Sequence, residues 1–332
     1  MATRKDVAEL AGVSPAVVSY VLNNSNYVAE EKRIAVLKAV KELNYHPSYL
    51  GRMLKSQKTE NLGLICDDIR SELFAEITFF SEKYAYERGY SLFLCMSHQE
   101  DAFLHRIVDH RLDGVFIGTS IYTTKQINMI AESGIPVVLY KAHDYEGLDK
   151  RVKCLRVDYE QAAFILTERL IGKGFEQIGF FPPYRSKIDS LGESDYRYKG
   201  YLKALRKYGL ETDPYLVSFQ NEDYALILKK AEQDCRRSLD KYGRYALVAG
   251  NDYLAIHIME HLKKCGLYDS EKVAIAGMDN TASASTVTPS LTTVGFSKED
   301  IGRVVIDLLT EEKEREDYQK DIPVYLVEGQ SG

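Results

Sequence analysis

From Leu62 onward the sequence alternates short apolar runs with longer amphipathic stretches, and it does so twice. The first set falls at residues 62–66, 91–96, 114–118 and 135–140, and the second at 177–181, 245–249 and 272–277. Apolar runs of about five residues suit strands buried on both faces of a parallel sheet, and the amphipathic stretches supply the covering helices. Two sets therefore predict two doubly wound α/β lobes. In open sheets of this kind ligands bind beyond the carboxyl ends of the strands, which makes the cleft between the lobes the expected pocket.

The first 46 residues have a different texture and read as three short helices. Thr3 precedes Asp6 at capping-box spacing, Val7, Leu10 and Ala11 follow at helical intervals, and Gly12 stops the helix. Ser14-Pro15 restarts the chain as a second helix with Val18, Val21 and Leu22 on its apolar side. A third runs from about Glu30 to Asn44, with Ile34, Leu37, Val40 and Leu43 read as one face and Ala29 a poor cap. Helix, glycine-containing turn, helix is the signature of a DNA-binding helix-turn-helix, although a generic three-helix bundle has the same pattern.

Charge is divided in the same way. Residues 1–60 carry a net +3 and the remainder −9, within a total of −6 over 332 residues. A basic head on an acidic body places any polyanion contact in the head. The N-terminus lacks the apolar run of an export signal and no segment is long enough for a membrane span, so a cytoplasmic protein without membrane contact is expected. Cys66, Cys95, Cys154, Cys235 and Cys265 are widely spaced, form no CxxC pair, and read as buried reduced thiols.

Several ordered motifs resemble the LacI/GalR family of transcription regulators. They are residues 5–23 (KDVAELAGVSPAVVSYVLN), 41–47 (KELNYHP) and 52–55 (RMLK), then 62–65 (LGLI), 111–114 (RLDG), 250–252 (GND) and 289–294 (PSLTTV). The resemblance spans almost the whole chain. It implies an all-α helix-turn-helix headpiece joined to an α/β two-lobed, periplasmic-binding-protein-like sensor with doubly wound parallel sheets. The expected divisions are a headpiece at 1–46, a hinge helix and linker at 47–60, an N-lobe of 61–160 plus 292–322, and a C-lobe of 161–291 plus 323–332.

In that family the second helix enters the major groove, and the matching positions here are Pro15, Ala16 and Tyr20. Tyr20 stands where an arginine is more usual, so one hydroxyl and a ring replace a bidentate guanine contact. Ser14, Ser19 and Asn23 are expected to hold phosphates or bases by single hydrogen bonds, with Thr3, Tyr27, Ser48 and Lys55 as further DNA contacts. Leu54 matches the leucine that wedges into the minor groove at the operator dyad, and Gly51 is an unusual residue for that hinge helix.

In the sensor the resemblance assigns Arg197, Asp252 and Asp279 to the cleft, and position at strand ends adds Arg70, Phe74, Ser120, Lys141 and Asp158. Lys141 and Tyr159 replace the Arg and Asn more often found there. Tyr184, Tyr196, Tyr198 and Tyr201 cluster near the expected cleft. The implied partners are a near-palindromic duplex operator, a small-molecule effector of the sugar class, and a second copy of the chain. Arg70, Lys141, Arg185 and Lys187 leave room for a phosphorylated effector.

Competing functions find little support. GxGxxG, GxxxxGK[ST], GxSxG and HExxH are absent from the sequence. His257 and His261 share a helical face, but no acidic or cysteine motif is seen to complete a metal site around them. Neither a catalytic centre, a metal nor a cofactor is expected. A two-lobed sugar-binding protein without DNA regulation is the remaining alternative, against which the headpiece argues.

Overall fold

The computed structural model describes residues 2–45, 58–183, 195–211, 224–311 and 316–332. The chain divides into two compact units, residues 1–59 and 60–332. Among the described residues, no helix is long and apolar enough to cross a membrane.

The first unit contains α1 (Arg4–Leu10), α2 (Pro15–Asn23) and α3 (Glu30–Glu42). Thr3 and Asp6 form the reciprocal capping box that their spacing predicts, with the Thr3 N–H donating to Asp6 Oδ2 at 2.6 Å. Gly12 takes the left-handed conformation, φ +63°, that lets the chain turn toward α2. Ser14 Oγ accepts from Val17 N–H at 3.4 Å and Pro15 occupies the first helical position. Ala29 supplies no side-chain cap, and Glu30 and Glu31 in the first turn of α3 compensate the exposed N–H dipoles.

Val7, Ala8, Val18, Val21, Val28, Val36, Ala39 and Tyr45 make the core of this unit. The expected face of α3 was misplaced. Ile34 is 58% exposed and Leu37 50%, whereas Val36, Ala39, Val40 and Leu43 pack inward. Steps of three residues each fall about 60° short of a full turn, so Ile34 and Leu43 lie on opposite sides of the helix. The inward set follows i, i+3, i+4, i+7.

In the second unit the chain runs β1 (Asn61–Cys66), α4 (Glu72–Glu87), β2 (Ser91–Met96), α5 (Asp101–Asp109), β3 (Gly114–Gly118), α6 (Thr124–Glu132), β4 (Val137–Tyr140) and β5 (Lys153–Val157). It continues through α7 (Tyr159–Gly172), β6 (Ile178–Phe181), α8 (Tyr196–Lys207), α9 (Tyr224–Tyr242), β7 (Tyr245–Ala249), α10 (Asp252–Lys264), β8 (Val273–Met278), α11 (Ala282–Thr286) and β9 (Thr292–Gly295). It closes with α12 (Lys298–Thr310), β10 (Gln319–Ile322) and β11 (Tyr325–Val327). One sheet has the order β10-β5-β4-β3-β1-β2 and is parallel throughout, and the other has the order β11-β9-β8-β7-β6 with only β11 antiparallel.

The apolar runs other than 91–96 are strands because both faces of the sheet are covered there, whereas 91–96 forms β2, an edge strand that is largely exposed. Along β1, Leu62, Leu64 and Cys66 enter one cluster and Ile65 enters another with Leu104, Ile117, Ile127 and Val137. Along β7, Ala246 and Val248 face one way, and Tyr245, Leu247 and Ala249 face α9 and α10. The alternation is the two-residue period of the strand.

The strands missed by the sequence reading are β5, β9, β10 and β11. Lys153 opens β5 and is nevertheless buried, with its ammonium on the Leu308 carbonyl. β10 (QKDI) is a mostly exposed edge strand and carries no apolar run. One expected boundary is also corrected: residues 292–295 form β9 in the second sheet, so the return to the first lobe begins at α12, which packs against α4 and β3.

Two close approaches between helices require glycine. A Cβ at Gly302 of α12 would lie 2.7 Å from Ser81 N of α4, and one at Gly200 of α8 would lie 1.9 Å from Glu160 O of α7. Gly200→Ala must push α8 off α7, and we expect it to destabilise the second unit by about 3 kcal/mol, the upper end of overpacking effects. Denaturant unfolding checks this, and an unchanged midpoint would contradict the packing described.

Candidate functional site

In the headpiece, Ala16, Ser19, Tyr20 and Asn23 recur at i, i+3, i+4, i+7 along α2, opposite Val18 and Val21. Ala16, Tyr20 and Asn23 are exposed and Ser19 is half-buried, with Asn23 Nδ2 donating to Ser19 Oγ at 3.1 Å. The result is a polar, solvent-facing stripe on a well-capped helix. Pro15 and Tyr27 are exposed as well. Thr3 and Ser14 serve first as helix caps, and the Ser14 hydroxyl keeps a proton to donate. Ser48, Leu54 and Lys55 lie outside the described residues.

In the second unit a cavity of about 540 Å³ opens where the carboxyl ends of the two sheets meet. Asp67 follows β1, Ser120 follows β3, and Tyr140 ends β4. From the other lobe, Asn251 follows β7, Asp279 follows β8, and Arg197 comes from the first turn of α8. Phe74, Tyr159, Tyr253 and Ile256 supply apolar wall.

The polar groups at its floor form a connected network. Tyr140 and Tyr159 share a hydroxyl–hydroxyl bond of 2.8 Å, and Tyr159 donates to Asp279 Oδ1 at 3.3 Å. The Arg197 guanidinium stacks 3.8 Å over the Tyr159 ring and reaches Asp195 Oδ2 at 3.5 Å, while its buried Nε has no hydrogen-bond partner. Burial pushes the Asp279 carboxyl up to about 7 against the opposing pull of Arg197 and Lys298. Lys298 also donates to the backbone carbonyls of Asp279 and Asn280, fixing a turn in which Asp279 has φ +105°.

Across the cleft mouth, Glu72 in the first turn of α4 accepts from Ser283 N–H at 3.0 Å and from the Ser283 hydroxyl on α11. Asp67 accepts from Ser97 Oγ at 2.7 Å and from Thr119. Arg70 is clamped bidentately by Asp68 at 2.8 and 2.9 Å.

The structure therefore brings together Arg70, Phe74, Ser120, Arg197 and Asp279, and places the other expected residues elsewhere. Asp158 caps α7, accepting from Gln161 N–H at 3.1 Å. Lys141 sits 3.4 Å from Asp144, and its neighbour Ala142 lines the cavity instead. Asp252 is fully buried behind the cavity, where its carboxylate accepts from Thr281 N–H at 2.8 Å and from the Thr293 hydroxyl, and Asn251 takes the lining position. Burial, then the charge of Asp279, raises the Asp252 pKa.

Tyr196, Tyr198 and Tyr201 do not line the cavity. Tyr198 and Tyr201 pack with Phe180, Tyr201 donates to the Ile178 carbonyl at 2.6 Å, and Tyr196 donates to Asp144 at 2.6 Å. Tyr184, Arg185 and Lys187 lie outside the described residues. Sequence reasoning missed Asp67, Asp68, Glu72, Tyr140, Asn251, Tyr253 and His257. Asp67 and Asn251 lie one and two residues past strands that were recognised, so the strand-end rule could have found them. Glu72, Tyr253 and His257 arrive on helices whose orientation only the fold provides.

Comparison with known proteins agrees with both halves of the chain. Residues 3–48 match the model of bacterial regulatory proteins of the lacI family, and residues 167–331 match a periplasmic binding protein-like domain. An HTH-type transcriptional repressor PurR of Glaesserella parasuis is 32% identical, over 98% of this chain and 94% of that repressor. The chain belongs to the LacI family of bacterial regulatory proteins. A PurR repressor of Pasteurella multocida is likewise 32% identical over 94% of this chain and 92% of its own length.

Among solved structures, a lac repressor dimer bound to operator and the anti-inducer ONPF superposes with a TM-score of 0.81 at 20% identity, covering 99% of this chain and 98% of that one. A CelR–cellobiose complex gives 0.67 at 24% identity with full coverage of both chains. These confirm the LacI fold, with its helix-turn-helix and two-lobed α/β sensor. The protein is a transcription regulator of this family, and its curated relatives are repressors rather than enzymes.

Asp279 gives a pH signature. The folded state holds its proton to about pH 7, whereas an unfolded aspartate releases it near the ordinary 3.8. Stability is thus fully present below about pH 4 and declines as pH rises toward about 7. Asp279→Asn keeps the neutral form and tolerates the positive φ, so it should shrink that decline, with Asp252 responsible for the remainder. Denaturant midpoints at about pH 5 and about pH 7.5 read the effect. An undiminished decline in the variant would remove Asp279 as its source.

Proposed function

We propose that this LacI-family protein is a homodimeric, operator-binding repressor whose affinity for a near-palindromic site is set by a neutral, hydroxyl-rich ligand, a sugar or sugar derivative, in the interlobe cavity. The observation that carries the reading is Arg197. A buried guanidinium with an unsatisfied Nε, stacked on Tyr159 beside Asp279, is a donor held ready for an acceptor on a ligand.

The sugar class is supported by the chemistry around it. Phe74, Tyr140, Tyr159 and Tyr253 offer ring faces and edges, and the carboxylates of Asp67, Asp68 and Glu72 outnumber Arg70 and Arg197. Carboxylates accept from hydroxyls and repel anions, and Arg70 is already neutralised by Asp68. That balance disfavours a phosphorylated effector. Cellobiose and ribose are the bound ligands of two solved neighbours, of which the second is a LacI-family regulator of Enterococcus faecium with TM-score 0.67.

Repression follows the curated relatives, and a dimer is supported by the surface. The edge strand β2 exposes Phe93, Leu94 and Met96, and Phe79 and Tyr86 of α4 are exposed as well. An apolar, unpaired edge of this kind is otherwise an aggregation hazard. Two-fold pairing would deliver two α2 helices to successive major grooves, with Ser48, Leu54 and Lys55 contacting the DNA between them. Ligand coupling of about 1–3 kcal/mol would change operator affinity roughly 5- to 150-fold.

Selection of bound sequences from a randomised duplex pool, at stated near-physiological salt, tests the DNA arm. A palindrome should emerge and its binding should weaken in Leu54→Ala. A panel of sugars, nucleobases and nucleosides, read by thermal stabilisation, tests the effector arm. A sugar should stabilise the wild type, and Arg197→Met should lose that response while retaining operator binding without ligand. Enrichment of no sequence would overturn the repressor reading, and stabilisation by nucleobases alone would overturn the sugar class.

A further inference from the structure

The helices α9 and α10 pack against each other, and between them lies a cluster that the regulatory function leaves unused. His261 and Cys265 stand one turn apart at the end of α10, and Glu232 faces them from α9. Sequence reading found no acidic or cysteine partner for His261. Cys265 was only four residues away, and Glu232 is brought in by the fold from 29 residues earlier.

The donor atoms are close to one another. Glu232 Oε2 is 3.0 Å from His261 Nε2 and 3.4 Å from Cys265 Sγ, and Sγ is 3.7 Å from Nε2. A tetrahedral zinc ion with ordinary bond lengths sets its N, O and S donors roughly 3.3–3.6 Å apart, so this triangle needs adjustment of only a few tenths of an ångström. All three residues are half-buried, so an ion can reach them and a solvent molecule can complete the fourth position.

The surroundings also orient the set. Arg236 holds the other carboxylate oxygen, Oε1, with Nε and Nη2 both at 3.0 Å, which turns Oε2 toward the imidazole and the thiol. The combination of one thiol, one imidazole and one carboxylate selects borderline metals of the zinc type over magnesium or calcium, which take oxygen alone.

We propose that Glu232, His261 and Cys265 form a binding site for a zinc-class divalent ion that clips α9 to α10. Binding displaces the thiol proton to solvent, and the imidazole coordinates through Nε2 with its proton on Nδ1. The clip has a direct structural reach. Asn251, at the other end of α10, and Tyr253 and His257 within it line the interlobe cavity, and Tyr224 at the start of α9 packs edge-on against His257. An ion here would therefore stiffen one wall of that cavity.

The test uses the full-length protein, stripped with a chelator and titrated with Co²⁺ as the spectroscopic probe. The expected result is thiolate-to-cobalt charge transfer in the near ultraviolet and tetrahedral-type visible bands, saturating at one ion per chain and bleached by Zn²⁺. Cys265→Ser should lose the near-ultraviolet band, Cys95→Ser should keep it, and His261→Gln should weaken cobalt binding by more than about tenfold. On the unmutated protein, Zn²⁺ should protect Cys265 from alkylation, mapped by peptide mass spectrometry, which reads the site even where a variant folds poorly. Absence of the charge-transfer band, its survival in Cys265→Ser, or alkylation of Cys265 unaffected by Zn²⁺ would overturn the proposal.

Discussion

The hydrogen-bonded chain from Tyr140 through Tyr159 to Asp279 joins the ends of two sheets that otherwise belong to separate lobes. Tyr140 closes β4 in the first sheet, Tyr159 opens α7 just after the chain leaves β5, and Asp279 follows β8 in the second sheet. Arg197 rests on the Tyr159 ring and extends the chain to Asp195 at the start of α8. Because these groups are buried, a hydrogen-bond partner must replace the water each has lost, or the desolvation cost goes uncompensated. The lobes are thus not simply adjacent. They share a polar network in which the buried Arg197 Nε has no hydrogen-bond partner among the described residues.

Arg197 is where the proposed function meets this network. Under the proposed function, a ligand acceptor at Arg197 would favour one arrangement of the lobes, and a preference between arrangements is the only way binding energy can shift an equilibrium. The Glu72–Ser283 contact at the cleft mouth is a second polar link between the lobes. Asp279, with its pKa raised toward neutrality, can act as donor or acceptor at that floor according to pH.

Much of this was legible in the sequence where one physical rule dominated. Runs such as 62–66 and 245–249 are apolar because both sheet faces are covered, and they were found. β10, an exposed edge with sequence QKDI, and β5, which opens on a buried lysine, obey no such rule locally. The third helix was recognised but rotated wrongly, since a three-residue spacing drifts round the cylinder. In the site, residues at strand ends were accessible to inference, as Arg197 and Asp279 were through family resemblance. Asp252 shows the limit: its sequence position is next to the cavity, yet the carboxylate turns inward to Thr281 and Thr293. Glu232 and Cys265 show it from the other side, because only the packing of α9 on α10 makes them neighbours of His261.

The central claim is that cavity and operator are two sites of one equilibrium, so it is tested most directly by measuring effector affinity twice, on the protein alone and on the protein saturated with its selected operator duplex. Linkage requires the two constants to differ by the same factor, roughly 5- to 150-fold, by which the effector changes operator affinity. Matching factors would establish the coupling. Equal effector affinities in the two states would contradict it and leave the cavity a binding site without regulatory consequence.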